Sequence, residues 1–498
     1  MNLPGQSVLR TCVAVLSMLL AAGCAVGPNY KKPAAPEVEG YTASPLTTTA
    51  STAGITGGDT QRFIRGADIS ADWWTLFQSA TLNELIEQSL TNNPDLKGAQ
   101  AALLSAREGV LAQRGAYFPN ISADFSATRQ GQSGVIAPTL ASNNLLFTLF
   151  TPEVTVAYVP DVFGLNRRTV ESLGAQAEAI RFQMIATYNT LTANVVVTAI
   201  QQGSVQLQIE TTQQLIDIDT HVLQILRYQF AKGYANGLDV AAQESQLAQT
   251  AAALPPLRKQ AAQLSDLMAT LVGKFPNQVP AGTFELASLQ LPRDLPVSVP
   301  ADLVTQRPDV RQAEADLHDA SAKIGIAEAN RLPNIVLTGN TGSSASAINR
   351  LFTSGTGFWS VGADLTAPIF QGGTLLHQER AAKANYAQAA AQYRSTVLAA
   401  CQNVADTLAA LAEDAEGLKA ATAASDAAKT ALDLAQRQWQ SGYAGYLALL
   451  SAQQAYQQAR INLIQSQASR YSDTAALFQA LGGGWWHRQD LAAGDHGE

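Results

Sequence analysis

Charged side chains are scarce in this chain, at 14% of 498 residues, and the mean hydropathy is 0.00. Yet no run of eighteen apolar residues occurs, which argues against a membrane-spanning helix in the mature chain. Basic residues are scattered and the net charge is −8, so nothing marks a nucleic-acid surface. The five histidines, at 221, 318, 377, 487 and 496, have no metal-ligand spacing. Walker, GxGxxG, HExxH, GxSxG and CxxC motifs are absent, and pairs such as Glu413-Asp414 read as solvated helix faces. No cofactor and no enzymatic chemistry is therefore expected. The three cysteines exclude a disulfide framework. Cys12 lies in a leader, Cys24 at its end, and Cys401 alone in an alanine-rich helical run as a small buried side chain.

What is present starts with that leader. Arg10 precedes a short apolar core at 11–22, and small residues lead to Gly23-Cys24. LLAAGC reads as a lipobox, making residues 1–23 a lipoprotein signal peptide and Cys24 the acylated residue, although Ala21 stands where Leu is preferred. The segment after it, 24–70, is rich in Pro, Thr, Ala and Gly and reads as a lipidated tether with too few large apolar residues for a core.

The chain then repeats itself. Pro94-Asp95 matches Pro308-Asp309, and Pro119-Asn120-Ile121 matches Pro333-Asn334-Ile335 at the same offset. Gly233-Tyr234-Ala235 matches Gly442-Tyr443-Ala444, and Gly273 matches Gly482. Such colinearity marks a tandem duplication, with repeats at 71–285 and 301–484, a Pro-rich joint at 286–300 and a mobile tail at 485–498.

Each repeat reads helix, strand, strand, long helix, helix. Alternation at 120–129, 153–159, 335–341 and 358–367 gives strands with one oily and one polar face, of the length a tilted strand needs to cross a bilayer. The alternative for such strands is a half-buried sheet in a soluble domain. From Leu165 to about Lys232, and again from Thr374 to about Ser441, proline is absent and Ala, Gln, Leu and Val dominate. Each run makes a helical rod of roughly 100 Å, a length usual in coiled coils. Two hairpins per chain cannot close a barrel, and open edges are not tolerated in lipid. Membrane-spanning strands would therefore require several chains, eight strands from two or twelve from three.

These residues resemble the TolC-like outer-membrane efflux family, lipoprotein (NodT/OprM-type) branch, over about 24–484. The resemblance rests on Cys24-Ala-Val-Gly-Pro-Asn-Tyr-Lys-Lys-Pro33, on Asp72-Trp73-Trp74-Thr-Leu-Phe77, and on Arg307-Pro308-Asp309-Val310-Arg311 with Ala313-Glu314 and Leu332-Pro333. It implies a mainly α chain with a transmembrane β-barrel: a homotrimer sharing twelve strands, with an α-helical coiled-coil tunnel below. It implies an equatorial belt built from tether, joint and tail, and it makes FPNIS and LPNIV the two junctions from tunnel helix to barrel strand. The implied partners are outer-membrane lipid, a periplasmic adaptor and an inner-membrane proton-driven pump. The gate would lie at the turns holding Gly233 and Gly442, with Leu447 forming the narrowest ring and Tyr443 beside it. Relatives often carry Asp and Arg where this chain has Ser451 and Gln454, so closure would rest on apolar contact and neutral hydrogen bonds. Asp239 is the remaining acid near the tip, as a gate group or a helix cap. Asp124, Glu153 and Asp364 would face the barrel lumen. The function implied is a passive efflux channel. The alternative is a non-conducting periplasmic coiled-coil scaffold or adaptor lipoprotein, which has no use for four oily-faced strands.

Overall fold

The computed structural model describes residues 25–38, 40–42, 44–131, 133, 145–278 and 284–492. These fall into two compact units. One is drawn from residues up to 33, 103–180 and 313–393, and the other from 34–102, 181–312 and 394 onward.

The first unit holds a four-stranded antiparallel sheet. β2 (Asn120–Gly131), β3 (Leu146–Tyr158), β5 (Asn334–Ser343) and β6 (Gly357–Thr366) lie side by side in that order. Each repeat supplies one hairpin, and β3 joins them by pairing Val154 with Thr341 and Val156 with Gly339. The register gathers the alternating apolar residues on one face, where Phe125 lies in line with Pro152 and Ala123 with Val154. That face is uncovered among the described residues: Ile121 is 69% exposed, Trp359 76% and Val361 79%. β3 begins earlier than its alternation predicted. Pro152 hides the first half, because a proline normally argues against a central strand. It is accommodated in a gap of the β3–β5 ladder, between the Phe150–Ala345 bridge and the Glu153–Gly342 pair.

Helix α2 (Pro94–Arg114) and helix α6 (Pro308–Ala329) lead into this sheet. In both, proline stands one residue before the strand, Pro119 ahead of β2 and Pro333 ahead of β5. Proline cannot continue the helix and forces an extended residue before it, so the same dipeptide makes the same junction twice.

The second unit packs around aromatic residues. It contains β1 (Arg62–Arg65), paired in parallel with β4 (Asp294–Val297), and helices α1 (Ala80–Asn92) and α5 (Pro300–Gln306). Trp73 stacks on Phe478, and Trp73, Phe77 and Tyr471 are almost fully buried. Long helices complete the chain: α3 (Leu165–Ala231) with α4 (Gly237–Leu271), and α7 (Thr374–Gln440) with α8 (Tyr446–Ala480). The duplication is visible in their lengths, 67 and 35 residues in both repeats. Helices α2, α3, α6 and α7 contribute residues to both units.

Residues of the tether, the joint and the tail meet in this unit. Gln61 is fully buried and donates to Pro292 O and Thr474 Oγ1 at 3.1 Å each. Arg470, also buried, donates to Asp59 O at 2.6 Å and to Thr49 Oγ1 at 3.0 Å. The tether has no core of its own, but its polar groups and Ile69 complete someone else's. The reading of 485–498 as mobile does not hold for residues 485–492. Trp485 is buried, donates to Gln306 O at 2.6 Å and meets Phe182 edge-on. His487 contacts Asp68, Arg488 contacts Asp72, and a short helix α9 (Gln489–Ala492) follows. Two adjacent tryptophans were the signal for burial that the terminal position concealed.

Trp485→Ala removes that plug and should destabilise the unit by about 3–5 kcal/mol. A fall in the guanidinium midpoint of the purified protein checks this; an unchanged midpoint would return 485–492 to a free tail.

Candidate functional site

Three places carry the expected functional residues. The first is the pair of helix turns. α3 and α7 each end at a glycine in the left-handed region, Gly233 at φ +78° and Gly442 at φ +74°. Glycine reaches this conformation without a Cβ penalty, and the chain then reverses into α4 and α8. Asn236 caps α4 by accepting from Asp239 N at 2.8 Å. Asp239 is thus the acid of the first helical turn and not the cap. Leu447, Tyr443 and Tyr234 project outward, at 62%, 89% and 84% exposed. Ser451 and Gln454 are both exposed, and Gln454 donates to Gln246 Oε1 at 2.8 Å.

Behind these exposed residues lies a buried polar seam. Tyr446 and Leu449 of α8 pack with Val222 and Leu226 of α3. The Tyr446 hydroxyl donates to Gln243 Oε1, and the Gln243 amide donates to Asp219 O at 2.8 Å. Thr250 donates to Asp219 Oδ2 at 2.8 Å. Burial holds the Asp219 carboxyl above the ordinary aspartate value, against the pull of Thr250 and Gln243. Burial also raises Tyr446, with Asp219 and Asp239 adding to it. Neutral Gln and Tyr side chains carry most of this seam, so no charge pattern announced it. The spacing of Gln243, Gln246 and Thr250 on one helical face was the available signal.

The second place is the polar face of the sheet. Asp124 lies directly opposite Glu153, and Asn340 reaches toward Glu153. Asp364 shares the face but pairs with Val336, six residues along β5 from the partner of Glu153. Two of the three predicted acids meet, and the third stands roughly 20 Å along the strands.

The third is the start of the tether. Cys24 lies outside the described residues, but the segment just after it is held tightly. Val26 N donates to Phe163 O at 3.1 Å. The buried Arg168 guanidinium donates to Val26 O, Gly27 O and Asn29 Oδ1 at 3.0–3.1 Å. Gly27 sits at φ +89°, and a Cβ there would come 2.4 Å from Gly325 Cα. Tyr30 stacks on His318, whose ring bonds Glu171 at 2.9 Å, and Lys32 pairs with Glu314 at 3.2 Å. Sequence reading noted the motif but missed its receptor, Arg168, because an arginine near a helix start is unremarkable without its partners.

Cys401 is half-buried with its thiol pushed up by burial, which suits a packing residue. Among the described residues no cluster could hold a metal ion, and no helix is long and apolar enough to cross a membrane.

A repeated unit of helix, hairpin and twin long helices, with one uncovered oily sheet face, defines a class of outer-membrane efflux channels. The family model described as "Outer membrane efflux protein" matches residues 85–274 and 299–483, and the chain belongs to that family. It is 29% identical to the solvent efflux pump outer membrane protein SrpC of Pseudomonas putida, over 95% of this chain and 97% of that one. It is 27% identical to Nodulation protein T of Rhizobium leguminosarum bv. trifolii, over 94% and 96%. The solved outer-membrane channel OprN superposes with a TM-score of 0.82 at 27% identity, covering 93% of this chain and all of that one.

The direction at Asp219 gives a sign. Its folded value is raised, so its contribution to stability is full in acid and is lost as pH rises through that raised value. Wild type should therefore lose more melting temperature from about pH 4 to neutrality than Asp219→Asn. Parallel pH curves for the two proteins would contradict the burial of an ionisable carboxyl there.

Proposed function

We propose that this chain is the outer-membrane channel of a tripartite efflux system, a passive conduit fed by an inner-membrane proton-driven pump through a periplasmic adaptor. The observation that carries it is a four-stranded sheet with an exposed apolar face and an open edge at β2 and β6, joined to twin 67-residue helices. Oily faces suit lipid, and lipid forbids the open edges. Three copies supply twelve strands and close the barrel, with Asp124, Glu153 and Asp364 wetting its lumen and biasing it mildly toward cations. Acylation of Cys24 anchors the chain in the outer membrane, and the docking of residues 26–32 keeps that anchor in place.

The turns at Gly233 and Gly442 are the gate end and the adaptor contact. Leu447 from each copy forms the constriction, and Tyr443, Tyr234 and Asp239 stand around it. With Ser451 and Gln454 in place of charged residues, closure depends on leucine contact and on the hydrogen bond that Gln454 donates to Gln246. Energy comes from the pump, so the channel itself needs no catalytic residue. Relatives named for solvent efflux and for nodulation match this chain over nearly its whole length, which supports a cargo choice made mainly upstream.

Leu447→Gly removes the constriction. Its single-channel conductance in a planar bilayer should exceed the low basal value of wild type several-fold, with heightened antibiotic sensitivity in cells. Equal conductance and sensitivity would remove Leu447 from the gate.

A further inference from the structure

The oily face of the sheet is interrupted at one position. On β2 it runs through Ile121, Ala123, Phe125 and Ala127 and then reaches Arg129, which the register sets opposite Thr148. Among the described residues no other charged side chain lies on that face. Arg129 is exposed, and its guanidinium has no hydrogen-bond or ion-pair partner among the described residues. β2 starts at Asn120, beside the junction with α2, and Arg129 stands nine residues along it, at the end away from the helices. Nine residues of strand span roughly 30 Å, or roughly 22–25 Å of height at the usual barrel tilt. An apolar band in an outer-membrane barrel is about 25 Å tall, so Arg129 falls on its far rim.

The other hairpin carries one charge at the same end. Arg350 closes a short turn, Ile348–Arg350, in the connection from β5 to β6. Its side chain is also exposed and also lacks a partner among the described residues. Ile348 and Phe352 beside it are exposed. Phe352 is held at φ +62°, a strained value for a bulky residue, and donates its N–H to the buried Ser343 Oγ at 3.0 Å. From Phe125 to Pro152 the only charged residue is Arg129, and from Ile335 to Ala363 it is Arg350. In a chain of net charge −8, both hairpins are thus cationic at this end, with no acid beside either arginine. Duplication does not account for the pair, since Ser343 stands where Arg129 would repeat.

We propose that Arg129 and Arg350 form a lipid-binding rim that holds the phosphates of an anionic lipid in the outer leaflet of the membrane. The proposal rests on the sheet spanning that membrane as argued above. A charge on a lipid-facing strand is costly at the middle of the bilayer and nearly free at its rim, which is where the count of residues puts Arg129. Its apolar stem lies along the oily face while the guanidinium reaches the headgroups. There a planar fork of donors meets phosphate oxygens two at a time, which a lone ammonium does not do. Trp359, near the outer end of β6, adds an aromatic anchor on the same face. Ile348 and Phe352 give Arg350 an apolar flank suited to the boundary between headgroups and acyl chains.

Native mass spectrometry of the full-length protein, released from detergent micelles doped with lipid, tests the rim. The probes are diphosphoryl lipid A and digalactosyl diacylglycerol, which carries no phosphate. Wild type should retain lipid A in preference to the galactolipid. Arg129→Gln and Arg350→Gln should each weaken lipid A retention at least about tenfold, the loss of one charge-assisted contact. Arg129→Lys, which keeps the charge without the fork, should fall between. All variants should melt with wild type in lipid-free micelles. Equal retention of both lipids by wild type, or unchanged retention in both glutamine variants, would overturn the rim. So would a loss of retention that merely follows a fall in melting midpoint. Displacement of lipid A by excess inorganic phosphate would overturn a lipid as the occupant in favour of a free anion. A trimer that enters phosphatidylcholine vesicles but shows no preference among lipids would overturn this proposal alone. A monomer that stays out of such vesicles would overturn the membrane reading and the rim with it.

Discussion

A row of unpaired backbone groups beside an oily surface is the constraint on which this structure turns. Among the described residues β2 and β6 each leave an edge open, and the face that carries Ile121, Phe125, Trp359 and Val361 is uncovered. In water such a face aggregates, and in lipid such edges leave several kcal/mol per unsatisfied group. One chain has too few strands to escape either cost. The proposed remedy is repetition of the chain, and the duplication within it already follows that rule, since each repeat donates a hairpin and β3 zips the two together. The proposed shared barrel extends the same pairing rule from repeats to copies.

In the long helices, duplication fixes lengths but leaves individual positions free to diverge. Asp161 caps the start of α3 by accepting from Asn166 N and Arg167 N at 2.9 Å each. The matching residue in the second repeat is Ile369, which is almost fully exposed. Asp219 faces Ala428 in the same comparison, and Pro255 faces Ile464. Other polar devices belong to the second repeat, where Glu379 and Arg470 are buried and burial pushes the Asp414 carboxyl up to about 7. A channel that opens needs some elements to hold and others to yield, and two copies of one unit provide the material for both.

Much of this was legible in the sequence because the signals are long or repeated. Runs of sixty-odd residues without proline leave little choice but helix, and glycines at 233 and 442 mark where they stop. Strand alternation put Asp124 and Glu153 at the polar positions of their own strands, and the register sets them opposite each other. Other features were hidden for particular reasons. Pro152 masked the first half of β3, since its tolerance depends on a ladder gap that only the tertiary pairing creates. Trp485 and Trp486 lie too near the end of the chain to suggest burial. The bonds of Arg168 and of the Gln243–Tyr446–Asp219 seam join residues up to 203 positions apart, through partners that carry no charge or belong to the backbone. Long-range hydrogen bonds between ordinary residues leave no local pattern.

The claim that the sheet is closed by further copies is tested most directly by the native mass of the purified, detergent-solubilised protein. The account predicts a particle of three chains, stable on dilution, because twelve strands close the edges at β2 and β6. A monomer with the same folded sheet would contradict it, since the oily face and both edges would then have to be satisfied within one chain.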